Sequence, residues 1–492
     1  MTEEGRTPSW GASLSWQSLN VFLQVLLQLV YIRILAGLLT EEDFGIMAIA
    51  LIVVGVVEIF AQVGIGPSVV QFAKLDRKHI SSAWWFSACL GGLFFVGMFI
   101  AAPKIALHYE EPTLRPVLRW ISLSFVISGF SVVSRSMLIR DMNFKALTAC
   151  GLTGMGVGNL GVGLVLAWQG AGVWAYVAAL LVQNVVLSLG YLLLARIPWL
   201  AGFSVARIRQ LMGYGMRSTA FNLLTYAAAK VDVWLVGEKL STGQTGIYDR
   251  AVHLMGHPIT VLGKLGDSVL FSGMSSIQED DVQTRNVTLR AMHFVALLTI
   301  PLASALVMQA EGVTWLFLGD RFASAAPVVQ ILFAAVVFRA LTKLGDANLR
   351  ALDGLSMGIA IKLIFFLAVG IGVFFALDHG HGLVGAAWAI VLASALQWTL
   401  TTGWVMTRLH VRILDLLKSL ASGTTLGILT TTTMLLLSLD WWLESTIAAA
   451  MGATLLLVIP QWVVPTWTDP TGSLRRNLGK RLPSPLNSRW LD

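Results

Sequence analysis

Nine of the 34 Lys and Arg residues lie within or at the ends of long apolar runs: Arg33, Arg119, Arg217, Lys230, Arg250, Lys264, Arg339, Lys343 and Lys362. Only five acids share that setting, Glu58, Asp232, Asp249, Asp267 and Asp346, so four bases are left unmatched. A base at the centre of an apolar helix costs roughly 2.5–3.5 kcal/mol on insertion scales, so one retained there faces water, a partner or a bound group. At 100° per residue Arg250, His253, His257 and Lys264 fall within an arc of about 60°, a single basic stripe with Pro258 midway along it. Arg339, Lys343, Asp346 and Arg350 share a face of another helix. Arg offers a planar fork to phosphate oxygens and Lys a point charge, so such a lining suits a phosphate-bearing anion. The competing reading is internal pairing, Lys264 with Asp267 and Lys343 with Asp346 at i, i+3, with Arg33, Arg119 and Arg217 snorkelling from the run ends.

The first apolar run adds a neutral stripe, Gln17, Asn20, Gln24 and Gln28, across about 80° of one face, suited to sugar hydroxyls and equally to interhelical hydrogen bonds. Arg33 lies about 160° away from it. Lys230 and Asp232 are two residues apart and point away from each other on a helix. The expected binding set is therefore Arg250, His253, His257, Lys264, Arg339, Lys343, Lys230, Gln24 and Gln28. Glu58, Asp232, Asp267, Asp346 and Arg33 form the expected coupling and gating set. Cys89 and Cys150 sit in apolar runs and read as small hydrophobes, not as a disulfide or a metal site. The Asp and His residues show no paired-carboxylate or ligand spacing, so neither catalysis nor a cofactor is expected.

The elements that must position these residues are membrane helices. Of the 492 residues 56% are apolar and 12% charged, against roughly 45–50% and about 25% in soluble proteins. Spanning helices need about 20 mostly apolar residues, and fourteen such segments are predicted: 13–36, 44–66, 82–102, 117–138, 146–167, 173–195, 215–237, 246–270, 291–310, 326–347, 355–377, 383–406, 420–439 and 444–464. With the N-terminus inside, the inner segments hold 21 Lys and Arg residues and the outer ones 4, which predicts both termini in the cytoplasm. This placement accounts for the net charge of +7 without nucleic acid. No loop is long enough for a soluble domain. The basic, Pro-containing stretch 466–492 reads as a tail near anionic headgroups.

An internal repeat runs through the chain. Leu39-Thr40, Phe44-Gly45-Ile46 and Gly66-Pro67-Ser68-Val69 recur about 200 residues later as Leu240-Ser241, Thr245-Gly246-Ile247 and Gly266-Asp267-Ser268-Val269. Six helices per repeat is an even number, which predicts parallel lobes related about the membrane normal. The expected organisation is a lobe over 1–195, a basic cytoplasmic linker over 196–214, a second lobe over 215–410, two added helices over 411–465 and the tail 466–492.

Arg33-Ile34-Leu35, Glu42-Asp43-Phe44-Gly45 and Val63-Gly64-Ile65-Gly66-Pro67-Ser68-Val69-Val70-Gln71 resemble the opening of bacterial polysaccharide flippases. Gly246-Ile247-Tyr248-Asp249-Arg250-Ala251, Pro258 and Ser275-Ser276-Ile277-Gln278-Glu279-Asp280 are similar to the same family, in its colanic-acid and O-antigen type. The family's usual proline after the Arg-x-Leu run is Thr40 or Glu41 here. The resemblance implies the multidrug, oligosaccharidyl-lipid and polysaccharide exporter superfamily: an all-α, multi-pass protein of the bacterial inner membrane working by alternating access. It also implies an undecaprenyl-diphosphate oligosaccharide as cargo, for exopolysaccharide or O-antigen assembly. Expected partners are that lipid-linked oligosaccharide, membrane lipids, protons or sodium as coupling ions, and a polysaccharide polymerase with its chain-length regulator. Two other readings stand beside it, a drug or metabolite exporter of the same superfamily and a membrane glycan polymerase or ligase. The first would favour an acidic cavity and the second a large outer loop.

Overall fold

The structure is a computed structural model. It describes the backbone of residues 10–437 apart from 63, 73–74, 196, 199–200, 275–280 and 353, and the side chains of those residues other than 10–23, 62, 213–218, 220–221, 261–274, 281, 355 and 437. Among the described residues every regular element is helical. The helices are α1 (Trp10–Leu38), α2 (Glu41–Gln62), α3 (Ile65–Gln71), α4 (Arg77–His108), α5 (Leu114–Ile121), α6 (Leu123–Arg140), α7 (Phe144–Met155), α8 (Leu164–Trp168) and α9 (Val173–Ala195). They continue as α10 (Val205–Lys239), α11 (Thr242–Met274), α12 (Asp281–Met308), α13 (Ala310–Leu318), α14 (Ala326–Ala351), α15 (Leu355–Asp378), α16 (Gly382–Arg408) and α17 (Ile413–Leu437). A π-helical turn, Gly156–Gly163, joins α7 to α8, and a 3₁₀ turn, Asp320–Ala325, leads into α14.

Each of the first thirteen predicted segments falls on helix, and ten of the spans are both long and apolar enough to cross a bilayer. α10 and α11 are long enough but carry charges discussed below. The segment 444–464 and the tail 466–492 lie outside the described residues. Residues to Ile428 form one compact unit; of the second unit, Leu429–Asp492, the described part is the end of α17. Within the segment 196–214, expected as a linker, α10 begins at Val205. Ile208 and Leu211 are buried there, and Ser68 donates its hydroxyl to the Leu211 carbonyl at 2.9 Å, so packing extends the helix ahead of its apolar run.

The repeat has a structural counterpart at the starts of α2 and α11. Thr40 caps α2 in a reciprocal box: its N–H donates to Asp43 Oδ2 at 3.0 Å, and the Asp43 N–H donates back to Thr40 Oγ1 at 3.2 Å. Ser241 and Gln244 repeat the device on α11, at 3.4 and 3.3 Å. Thr40 thus starts α2 by side-chain capping.

The two helices cross at the glycines of the repeat. A Cβ on Gly45 would stand 1.8 Å from the Thr242 carbonyl oxygen, and one on Gly246 would stand 2.0 Å from that of Glu41. The contact is backbone on backbone, and reciprocal. Lipid tails give helices no hydrophobic reason to associate, so close approach through small residues is what holds such crossings. Around it Phe44 is fully buried, edge-on to Phe322 at 5.5 Å and to Tyr176 at 6.1 Å, and Arg321 donates to the Leu39 carbonyl at 3.0 Å. This end of the bundle is closed by residues from both repeats.

Candidate functional site

A cavity of about 520 Å³ opens between α2, α3, α6 and α10. Its polar lining is Glu58 from α2, Gln71 from α3, Arg135 and Ser136 from α6, and Thr219, Asn222 and Tyr226 from α10. Arg135 is an exposed cation in this lining. The neighbouring Arg140 serves structure: its guanidinium donates to the carbonyls of Val69, Val70 and Phe72 at 2.9, 3.2 and 2.7 Å, closing the end of α3.

Tyr226 marks the boundary between the cavity and the closed end. Its hydroxyl donates to the Leu51 carbonyl at 3.0 Å and reaches that of Ile52 at 3.4 Å. The ring fits because position 55 is glycine: a Cβ there would lie 2.1 Å from the phenol oxygen. Tyr226→Phe keeps the ring in this notch and removes the donor. The expected result is a loss of about 1 kcal/mol, the net worth of one hydrogen bond, read as a small fall in the unfolding midpoint of the detergent-solubilised protein.

One turn further along α10 stands a cluster built on Asp249. Arg250 Nη2 bonds Asp249 Oδ2, Lys230 Nζ is 3.5 Å from Oδ1, and His253 Nε2 is 3.6 Å from the same oxygen. The Arg250 guanidinium also lies 4.7 Å over the Phe44 ring and interacts electrostatically with Tyr176, so a side chain of the second repeat reaches α2 and α9 of the first. Asp249 and Arg250 are almost wholly buried, whereas Lys230 and His253 keep 24% and 38% of their side-chain surface exposed. Arg250, His253 and His257 face one narrow crevice with Leu29, Ile32, Leu254 and Leu318, the common face expected of the stripe. Arg250 itself is held by an acid one residue before it.

A second group lies deeper in the second repeat. Arg339 Nε donates to Ser394 Oγ at 3.3 Å with its guanidinium 5.8 Å from the Phe365 ring, and Asp232, also buried, accepts from Tyr248 at 3.5 Å and feels the Arg339 charge. Lys343 donates to the Ile259 carbonyl at 3.2 Å, and Asp346 sits in the field of Lys343, Arg350 and Lys362. Gln24 rests against Gly151, Gln28 is exposed, and Arg33 rests against Gly319. Lys264 and Asp267 lie outside the described side chains.

The structure thus brings Lys230, Arg250 and His253 together, sets Arg339 with Asp232, and puts Glu58 in the cavity wall. Arg135, Thr219, Asn222 and Tyr226 were missed from sequence. Arg135 falls inside the predicted segment 117–138 and is absent from the expected binding set. Its position three residues from the segment's end was the available signal.

Comparison with known proteins fits this geometry. A family model described as polysaccharide biosynthesis protein matches residues 34–327, more than half of the chain. The chain belongs to this polysaccharide biosynthesis family. Within it, the chain is 22% identical to the lipopolysaccharide biosynthesis protein WzxC of Escherichia coli K12 over 66% of each protein, just under two thirds of that relative's length. It is 20% identical to the teichuronic acid biosynthesis protein TuaB of Bacillus subtilis 168, over 78% of this chain and 79% of TuaB. Among solved structures, lipid II flippase MurJ in an inward closed conformation superposes with a TM-score of 0.76 at 13% identity, covering 91% of this chain and 99% of MurJ. The family member described here therefore shares the MurJ fold.

Proposed function

We propose that this protein is a flippase, carrying a polyprenyl-diphosphate-linked oligosaccharide from the inner to the outer leaflet of the cytoplasmic membrane by alternating access. One observation supports it most: the bundle is sealed at one end by residues from both repeats and opens at the other into a polar cavity containing an exposed arginine. That is half of a transport cycle. The distribution of Lys and Arg along the sequence supports a cytoplasmic position for the cavity end. The names of WzxC and TuaB connect such chains to surface polysaccharides, and MurJ's connects the fold to a lipid-linked sugar.

In this scheme Arg135 meets the diphosphate first, and the half-buried Lys230 and His253 stand at the next level, beyond Tyr226. A ligand shifts a two-state equilibrium only through different affinity for the two states, and a diphosphate between cations of both repeats provides that difference. Polar groups of the cavity wall accept the glycan. Glu58 and Asp232 are the acids placed to couple an ion. The protein moves its cargo without making or breaking a bond, and a polymerase and chain-length regulator act on the delivered units. Arg339, Lys343, His257, Gln24 and Gln28 remain in the proposed binding set, and Asp346 and Arg33 in the gating set.

The test is flipping of a defined polyprenyl-diphosphate oligosaccharide in vesicles containing the purified protein. Arg135→Ala is expected to slow flipping at least tenfold, and Arg135→Lys less, because a lysine keeps the charge and loses the fork. Flipping at the wild-type rate by Arg135→Ala, with the protein folded, excludes the loading site. Glycosidic bond formation by the same vesicles would instead make the protein an enzyme.

A further inference from the structure

The joint between the repeats presents a surface that the transport path does not use. α4 begins at Arg77 and α10 at Val205, and three contacts hold the two starts together. The Ser204 N–H donates to Ser82 Oγ at 2.9 Å, His79 Nε2 lies 2.9 Å from Gln210 Oε1, and Arg207 Nη2 lies 2.9 Å from Asp76 Oδ2. His79 is buried, with its other ring nitrogen 2.7 Å from Asp76 Oδ1. The His79 backbone N–H donating to Asp76 holds that carboxyl below the ordinary carboxylate range. Asp76 is therefore fully engaged with Arg207 and His79.

What remains at the surface is basic and apolar. Arg77, Lys78 and Arg209 are exposed, and no acid lies within salt-bridge distance of them among the described residues. Beside them Phe203 is 56% and Val205 70% exposed. Exposed apolar side chains on the spans are explained by lipid tails, but these two precede the apolar part of α10. Apolar side chains next to cations at a span end match the boundary between headgroups and tails. α4, long and apolar enough to cross a bilayer, starts at Arg77, which puts its first turn toward one membrane face.

We infer that Arg77, Lys78 and Arg209, with Phe203 and Val205, form a docking surface for anionic phospholipid headgroups, which holds the joint between the repeats at the membrane interface. The occupant follows from charge: three cations with no acid within salt-bridge distance among the described residues stand at a span end, where anionic headgroups are the complementary ligand. It is distinct from the cargo, because none of these residues lines the cavity.

The experiment uses the full-length protein with Phe203→Cys on a Cys89→Ser, Cys150→Ser background, labelled with an environment-sensitive dye and placed in phosphatidylcholine vesicles with about a quarter phosphatidylglycerol. Spin labels are carried on the headgroup of one lipid or the other. The expected result is blue-shifted dye emission, quenched more strongly by labelled phosphatidylglycerol than by labelled phosphatidylcholine. Each cation near the surface favours the anionic lipid roughly fivefold, so Arg77→Gln, Lys78→Gln and Arg209→Gln together should erase about a hundredfold of that preference. Lys78→Gln alone gives a smaller step in the same direction and covers the case in which the triple variant does not fold. Emission characteristic of water, equal quenching by both lipids, or a preference that survives all three substitutions overturns the inference. No flipping is measured, so failure here leaves the flippase reading untouched.

Discussion

Gly246→Ala is expected to stop flipping while leaving the protein inserted and helical. The new methyl would stand 2.0 Å from the Glu41 carbonyl oxygen and 2.8 Å from the Gly45 nitrogen, both main-chain atoms of α2 that cannot rotate away. The helices must separate at the closed end. Overpacking of this kind costs about 1–3 kcal/mol, and only the state closed at that end bears the cost, so the ratio of the two states moves roughly five- to 150-fold toward the opposite one. Met47, fully buried on α2 near this crossing, supplies the reporter. Met47→Cys on a Cys89→Ser background should be inert to a membrane-impermeant maleimide added outside, and reactive once Gly246→Ala is added. Gly45→Ala should behave alike, because its methyl meets the Thr242 carbonyl at 1.8 Å. Gly55→Ala is the contrast: it meets the tip of the Tyr226 side chain, which can swing, and its effect should be several-fold smaller. If Gly246→Ala and Gly55→Ala flip and label alike, the crossing is not the seal.

The repeat that forms this seal was readable in the sequence, and the reason is chemical. Leu39-Thr40 and Leu240-Ser241 recur because both helices need a hydroxyl cap at the same place, and Gly45 and Gly246 recur because neither backbone could approach the other with a side chain present. Helix positions were readable because bilayer thickness imposes a length on apolar runs. Charge partners were not. Helical spacing pairs residues three or four apart, and by that rule Lys343 is offered Asp346. The structure has Lys343 donate to the Ile259 carbonyl, and Asp249 gathers Lys230 and its neighbour Arg250 beside His253, the one partner of the three that lies at i+4. Adjacent residues meet here because the long Arg250 stem can fold back along the helix, and a tertiary partner such as Lys230 leaves no local signal. Arg135 was lost for a related reason: near the end of a span, a cation anchoring at the headgroups and one lining a cavity read the same until α2, α3 and α10 are placed around it.

The asymmetry of the Asp249 cluster leads to the second large effect. Asp249 serves three bases, whereas Arg250 has Asp249 as its acid partner and both are almost wholly buried. Removing one member of a buried pair leaves an uncompensated charge and costs about 3–5 kcal/mol, a large share of the roughly 5–15 kcal/mol that holds a typical domain together. Asp249→Ala should bear that cost in full, since it leaves Arg250 buried beside Lys230 without an anion. Arg250→Met should cost less, because Asp249 keeps Lys230 at 3.5 Å and His253 at 3.6 Å and a methionine fills the space over Phe44. Combining Asp249→Ala with Arg250→Met removes the buried cation and should recover most of the lost stability. Unfolding midpoints in detergent are expected to rise from Asp249→Ala through the double variant to Arg250→Met. If Arg250→Met is as damaging as Asp249→Ala and the double variant no better than either, the cluster is not organised around the aspartate. The same variants separate structure from transport: Arg250→Met, folded and stable, flips cargo poorly if its guanidinium grips phosphate, and flips it normally if Arg250 only ties α11 to α2 and α9.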